Sequence, residues 1–302
     1  MKKVLVTGGD GWIGSFAIPS LLAKGYDVHV VSRKNKSVQQ VLWHTADLLD
    51  QRVIDDLMRT IQPEYLLHFA WETAPGQCWT SLNNYRWVQS SLELLRTFAL
   101  YGGKRVVMAG SCAEYDWHHG YLSEEASPLS YATPYAASKN AMRQLLISFS
   151  ESADISYAWG RLFFVYGPGE HPARLVASVI RSLLAGQEAR CTDGYQARDY
   201  MHVADVGDAF SALLDSGVRG TVNIASGQSV RVRDLVSAIA EKVGKRELVR
   251  FGAIPFPAHE PLWMAAATER LNHEASWRPW YDLDAGLNQT IAWWEEHLGG
   301  GK

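Results

Sequence analysis

Tyr135 and Lys139 stand four residues apart in a stretch of helical character, a spacing that sets a phenol and an ammonium on one face, one turn apart. A free tyrosine ionises near pH ~10, too high for efficient proton transfer at neutrality. A fixed positive charge nearby favours the phenolate and lowers that value, and Lys139 is placed to supply it. Ser111, at the end of an apolar run, adds a hydroxyl able to hydrogen-bond the oxygen that gains or loses the proton. The trio suits proton transfer at a carbinol or carbonyl oxygen, coupled to hydride transfer.

A site for the hydride carrier is legible near the start of the chain. Gly8, Gly11 and Gly14 recur every third residue after Val4-Leu5-Val6, and an amphipathic helical pattern (Ile13, Ala17, Leu21) follows. Gly8 permits a sharp strand exit, Gly11 lets backbone N–H groups approach a pyrophosphate, and Gly14 lets the helix lie close on the sheet. The helix N-terminus, with Trp12 and Ile13, favours the anion, so the turn predicts dinucleotide binding. The second strand, 26–31, runs into Ser32, Arg33 and Lys34. An NAD-type site places a carboxylate there for the ribose hydroxyls; Ser32 removes the repulsion of a 2′-phosphate, which Arg33 can hold through its planar fork. NADP(H) is therefore favoured, with NAD(H) the alternative. Asp47 and Leu48 end the next segment and Ala70 ends the apolar run 64–70; these border the adenine side.

Short apolar runs alternate with helical stretches, which implies a parallel sheet covered on both faces. Residues 71–80 lack any period and read as a loop over the ligand crevice. A helix follows over 82–100, facing inward through Leu92, Leu95 and Ala99. Strand 104–109 delivers Ser111 to the crevice, 116–132 is a loop, and Thr133 caps the helix of Tyr135 with Pro134 in its first turn. The expected fold is α/β: a Rossmann doubly wound parallel sheet with a smaller C-terminal α/β substrate lobe. The dinucleotide-binding domain covers 1–165, with 200–226 returning to it; 166–199 and 227–302 form the substrate lobe.

Composition narrows the function. The 302 residues are 47% hydrophobic and 20% charged, as in an ordinary globular protein. A net charge of −3 without a basic block argues against nucleic acid, and no apolar run reaches the ~20 residues of a membrane span. The first residues enter a strand directly, without a secretory signal pattern. Cys78, Cys112 and Cys191 lack metal-ligand spacing and read as reduced thiols of a cytoplasmic protein; no metal site is expected.

On these features the chain resembles the extended short-chain dehydrogenase/reductases, the branch of nucleotide-sugar epimerases, dehydratases and ketoreductases. Gly8/Gly11/Gly14 are similar to its cofactor turn, Ser111, four residues before Tyr115, to its catalytic Ser/Thr, and Tyr135 with Lys139 to its acid/base pair. The segment Gly160–Gly169 resembles its Arg-x-x-Asn-Val-Tyr-Gly-Pro-Gly stretch, and Arg198-Asp199-Tyr200-Met201-His202-Val203 resembles a stretch specific to the sugar-nucleotide branch. The resemblance implies a nucleotide-linked sugar substrate with Arg198 on its diphosphate, His171 and Arg174 on the nucleotide side, and a homodimer. Residues 235–243, 267–279 and the region of Trp293 and Trp294 complete the expected C-terminal lobe. Departures stand beside the matches: Phe164 replaces a substrate-facing Asn, Trp87 replaces another Asn, and 255–264 holds no second Arg, only His259. Cys112-Ala113 replaces the Asp-Glu pair that a 4,6-dehydratase needs to expel a hydroxyl, and Cys112 reads as a buried thiol. The leading expectation is an NADPH-dependent reductase of a nucleotide-linked 4-keto-6-deoxy sugar. The alternative is a 4-epimerase with tightly held NAD; a non-catalytic redox sensor leaves Ser111, Tyr135 and Lys139 unexplained.

Overall fold

The computed structural model describes residues 2–34, 40–257 and 260–299. In chain order the first half runs β1 (Lys3–Thr7), α1 (Trp12–Ala23), β2 (Asp27–Ser32), β3 (Val41–Thr45), α2 (Arg52–Ile61), β4 (Tyr65–His68), α3 (Asn83–Leu100), β5 (Arg105–Ser111), β6 (Tyr121–Leu122) and α4 (Pro134–Ser152). Then come β7 (Ser156–Leu162), β8 (Phe164–Tyr166), α5 (Leu175–Leu184), β9 (Ala189–Arg190), β10 (Ala197–His202), α6 (Val203–Asp215) and β11 (Gly220–Ile224). The chain closes with β12 (Ser229–Arg231), α7 (Val232–Val243), β13 (Val249–Arg250), β14 (Ala265–Ala266) and α8 (Leu283–Gly299).

Seven strands form one parallel sheet in the order β11-β7-β5-β4-β1-β2-β3. Its inner strands read as nearly continuous apolar runs because helices cover both faces; Val4, Leu5 and Val6 have no exposure at all. One face packs on α1 and α6 through Ala17, Leu21, Val206 and Phe210, the other on α2, α3 and α4 through Ile54, Leu95 and Leu146. The chain direction reverses its march across the sheet at β1, which lies between β2 and β4, and a crevice opens there at the carboxyl ends. Beyond the sheet, α5, α7 and α8 enclose a separate core of Val176, Ile180, Leu235, Ile239, Leu287 and Trp294.

Ile13, Ala17 and Leu21 of the first helix pack against the core, joined by Trp12, Phe16, Ile18 and Leu22, while Ser15, Pro19 and Ala23 stay exposed. In α3 the buried stripe is Ser91, Leu94, Leu95 and Phe98, with Leu92 and Ala99 at its margin, because α2 and α4 flank this helix. Thr133 does cap α4: its Oγ1 accepts from the Ala136 N–H at 3.1 Å, with Pro134 opening the helix. Among the described residues no helix is long and apolar enough to cross a membrane.

Candidate active site

The crevice holds a cavity of about 630 Å³ that joins the glycine turn at one end to Ser111, Tyr135 and Lys139 at the other. Gly8 has φ +67°, and a Cβ there would lie 2.8 Å from the Ala70 nitrogen on β4's extension. A Cβ on Gly14 would collide with the Gly8 carbonyl, so only glycine lets α1 start this close to the sheet. The N-cap is Gly11, which has no side chain to take up the free N–H groups of the first turn. Those donors face the cavity end where a pyrophosphate would lie, and the cradle fits a dinucleotide. Trp12 Nε1 donates to the Pro168 carbonyl at 2.7 Å, and the Arg174 guanidinium stands 5.9 Å from the Trp12 ring centre; both side chains line the cavity. His171 does not. It is exposed, its Nδ1 accepts from the Ala173 N–H at 3.2 Å, and this local turn directs it away from the place expected of it.

Ser32, Arg33, Asp47, Leu48 and Ala70 all line the cavity, with Ile13 beside them. The premise of a pocket without a carboxylate at the end of β2 fails. Asp10, from the glycine turn, accepts a hydrogen bond from Ser32 Oγ at 2.7 Å and lines the same wall. Sequence reasoning sought that carboxylate only at the end of the second strand.

At the other end, α4 presents Tyr135 and Lys139 as its spacing requires, and β5 ends at Ser111. Lys139 is buried; its Nζ donates to the Ala109 carbonyl at 2.8 Å and lies 3.8 Å from the centre of the Trp71 ring. Burial holds Lys139 down to about 7, partly opposed by Glu114. The ammonium sits 6.0 Å from the Tyr135 ring centre. Tyr135 departs from expectation: burial pushes its phenol above the usual tyrosine range, and a hydrogen bond with Ser111 only partly offsets this. The desolvation cost of a buried phenolate exceeds the help its neighbours give, so Tyr135 stands as a proton donor. Trp79 meets it edge-on at 5.6 Å and also Trp117 at 6.2 Å; with Phe163 and Phe164 these rings line the cavity. Cys112 is buried and free there, its thiol pushed up to about 12 by burial. The loop before α3 is anchored by buried Asn84, whose Oδ1 accepts from Trp71 Nε1 at 2.8 Å while its Nδ2 donates to the Cys78 carbonyl at 2.7 Å. Trp87 stacks on Trp71.

Glu114 holds Ser111 in place. Its fully buried carboxylate accepts from the Ser111 N–H at 2.8 Å, from Trp159 Nε1 at 2.9 Å and from Arg161 Nε at 2.7 Å. Ser111 Oγ in turn accepts from the Ala113 N–H at 3.2 Å, completing a capping box. The Ser-x-x-Glu spacing at 111–114 was the available signal for this group.

Arg198 does not line the cavity. It is buried beside the ring of Phe164, with one nitrogen donating to the Ala197 carbonyl at 2.9 Å and another to Glu260 at 2.9 Å. A buried guanidinium needs a counter-charge, and Glu260 supplies it from the segment 255–264 that holds no second Arg. His259 lies outside the described residues.

The profile of the NAD dependent epimerase/dehydratase family matches residues 4–225. UDP-glucose 4-epimerase 2 of Arabidopsis thaliana is 27% identical, over 92% of this chain and 90% of its own. Two solved structures superpose over nearly the full length. MoeE5 in complex with UDP-glucuronic acid and NAD is 28% identical, with a TM-score of 0.86 and coverage of 98% of this chain and 100% of that one. The UDP-glucose 4-epimerase of Thermus thermophilus in complex with NAD is 26% identical, with a TM-score of 0.84 and coverage of 99% and 100%.

Proposed function

The chain belongs to the NAD dependent epimerase/dehydratase family, enzymes of the extended short-chain dehydrogenase/reductase type that use a nicotinamide nucleotide; from that footing we propose that it is a nucleotide-sugar 4-epimerase. The observation that carries this reading is one cavity with the glycine cradle at one end and Ser111, Tyr135 and Lys139 at the other. When bound, the nicotinamide nucleotide supplies the acceptor and donor of hydride. In the proposed mechanism the positive charges of Lys139 and, when the nucleotide is bound, of the oxidised nicotinamide ring would offset burial and ionise Tyr135; the phenolate would then take the proton of the C4 hydroxyl and return it, while Ser111 hydrogen-bonds the C4 oxygen and Lys139 orients the ribose beside it. The walls of Trp79, Trp117, Phe163 and Phe164 support inversion at C4. They give the sugar ring apolar contact but few fixed hydrogen bonds, so it can present either face. The 4-epimerase relatives support the same reading.

A second reading, NADPH reduction of a 4-keto-6-deoxy sugar nucleotide, is favoured by Arg33 at the rim of the cavity. One assay separates the two. Incubation with UDP-glucose and related UDP- and dTDP-hexoses should yield C4 epimers without net change in the cofactor; stoichiometric loss of NADPH on 4-keto sugars would support the reductase instead.

Arg198 enters the proposal as a diphosphate ligand that must first leave Glu260, and Arg174 as a ligand closer to the cofactor. The seven-stranded sheet with its helices is assigned to the cofactor and the α5/α7/α8 unit to the sugar nucleotide. Exposed Leu82 and Tyr85 at the start of α3 and Leu145 on α4 support a homodimer through these helices, which light scattering would test. Free Cys78, Cys112 and Cys191, none of them in a disulfide, support a cytoplasmic location.

A further inference from the structure

Asp10 is the third residue of the glycine turn, yet its carboxylate does not point into solvent alone. It accepts from Ser32 Oγ at 2.7 Å, and Ser32 Oγ accepts from the Lys34 N–H at 3.1 Å. Ser32 itself is buried. A serine hydroxyl has one proton to donate, and Asp10 takes it, so Ser32 has no donor left for a phosphate. Asp10, Ser32, Arg33, Ala46 and Asp47 form one end of the cavity, beside the free N–H groups at the start of α1. With a pyrophosphate on those N–H groups, the adenosine ribose falls at the end of β2, which is this wall.

Two charges of opposite sign compete for whatever extends from that ribose. Arg33 is exposed, on a flexible side chain, and its field is screened by water and salt. Asp10 is partly buried, fixed by Ser32, and on a backbone turn that glycines hold rigidly in place. A charge that is fixed and partly desolvated acts more strongly than a mobile exposed one. The carboxylate accepts hydrogen bonds from ribose hydroxyls and repels a 2′-phosphate carrying nearly two negative charges.

We propose that Asp10, held on Ser32 at the end of β2, is the residue that sets cofactor choice, selecting NAD(H) by its ribose hydroxyls and excluding NADP(H). A carboxylate carried on the glycine turn thus does what a carboxylate at the end of the second strand would otherwise do. The inference rests on the reading of the cavity as a nicotinamide nucleotide site; it agrees with the epimerase and counts against the NADPH-dependent reductase.

The test is equilibrium binding, without any sugar. Trp12 and Trp71 line the cavity, so energy transfer from tryptophan to reduced nicotinamide reports occupancy directly. The unmodified protein should bind NADH at least tenfold more tightly than NADPH. Asp10→Asn keeps an oxygen for Ser32 but removes the charge; it should bring the two affinities within about threefold, chiefly by tightening NADPH. Equal or tighter binding of NADPH by the unmodified protein would overturn the inference while leaving the nicotinamide site standing, and this result needs no variant to fold. An unchanged ratio in a folded Asp10→Asn protein would overturn it as well. Failure to bind either nucleotide would remove the cofactor reading and the inference with it.

Discussion

Replacing Glu114 by Gln should cost this protein ~3–5 kcal/mol of stability. Glu114 and Arg161 form an ion pair in which neither side chain has more than 1% exposure. Neutralising one partner leaves the other charge buried and uncompensated, which costs ~3–5 kcal/mol, whereas replacing both with apolar groups is often neutral. Two further donors converge on the same carboxylate, the Ser111 N–H and Trp159 Nε1. The Gln amide must therefore turn an N–H toward at least one donor. For 302 residues with an unfolding entropy of ~2.1 cal/mol/K each, such a loss lowers Tm by roughly 5–8 °C. Urea denaturation followed by tryptophan fluorescence, with calorimetry alongside, measures it. The double variant Glu114→Leu/Arg161→Met removes the stranded charge but leaves the Ser111 N–H and Trp159 Nε1 without an acceptor, so it should recover only part of the loss; Glu114→Gln should lose activity even where it is fully folded, since Ser111 rests on Glu114. A loss below ~1 kcal/mol, or a double variant no more stable than the single one, would refute the reasoning.

Tyr135→Phe should lower turnover by at least ~10²-fold, the usual scale for a positioned proton donor, while NADH still binds; near-normal turnover would strip Tyr135 of its role. Buried Glu170 is raised from 4.5 to about 8, so the folded state holds its proton where the unfolded chain has lost it. Its contribution to stability is complete below about 4.5 and is lost as pH rises toward 8. Glu170→Gln should therefore gain on the parent protein between pH ~5 and ~8 in thermal melts, and parallel curves would contradict the shift. If Arg198 serves as a diphosphate ligand once freed, Arg198→Ala should weaken nucleoside diphosphate binding at least tenfold and Glu260→Gln should tighten it; calorimetry showing no change in either variant would leave Arg198 as the structural partner of Glu260 alone.

Most of the fold was legible because its signals are local. Short apolar runs alternating with helical stretches prescribe a parallel sheet, and Thr133-Pro134 marks the start of α4 unambiguously. Local signals also placed the glycine turn, Ser111, Tyr135 and Lys139. What stayed hidden depends on residues distant in sequence. Asp10 and Ser32 are 22 positions apart and meet only when β1 and β2 pair. Arg198 finds Glu260 across 62 residues. The raised Tyr135 and lowered Lys139 are products of burial, which no spacing reveals. Glu114 is the intermediate case: its capping-box spacing was visible, but its partners Trp159 and Arg161 arrive from β7.

The central claim is that this cavity removes a hydride from C4 of a nucleotide-linked hexose and returns it to the opposite face, with Tyr135 handling the proton. A nucleoside diphosphate hexose deuterated at C4, followed by NMR, tests it directly. The account predicts a mixture of the two C4 epimers, both retaining deuterium at C4, with no lasting change in the absorbance of the nicotinamide and no reaction in Tyr135→Phe. Loss of the label to solvent, or net consumption of reduced cofactor without epimerisation, would contradict it.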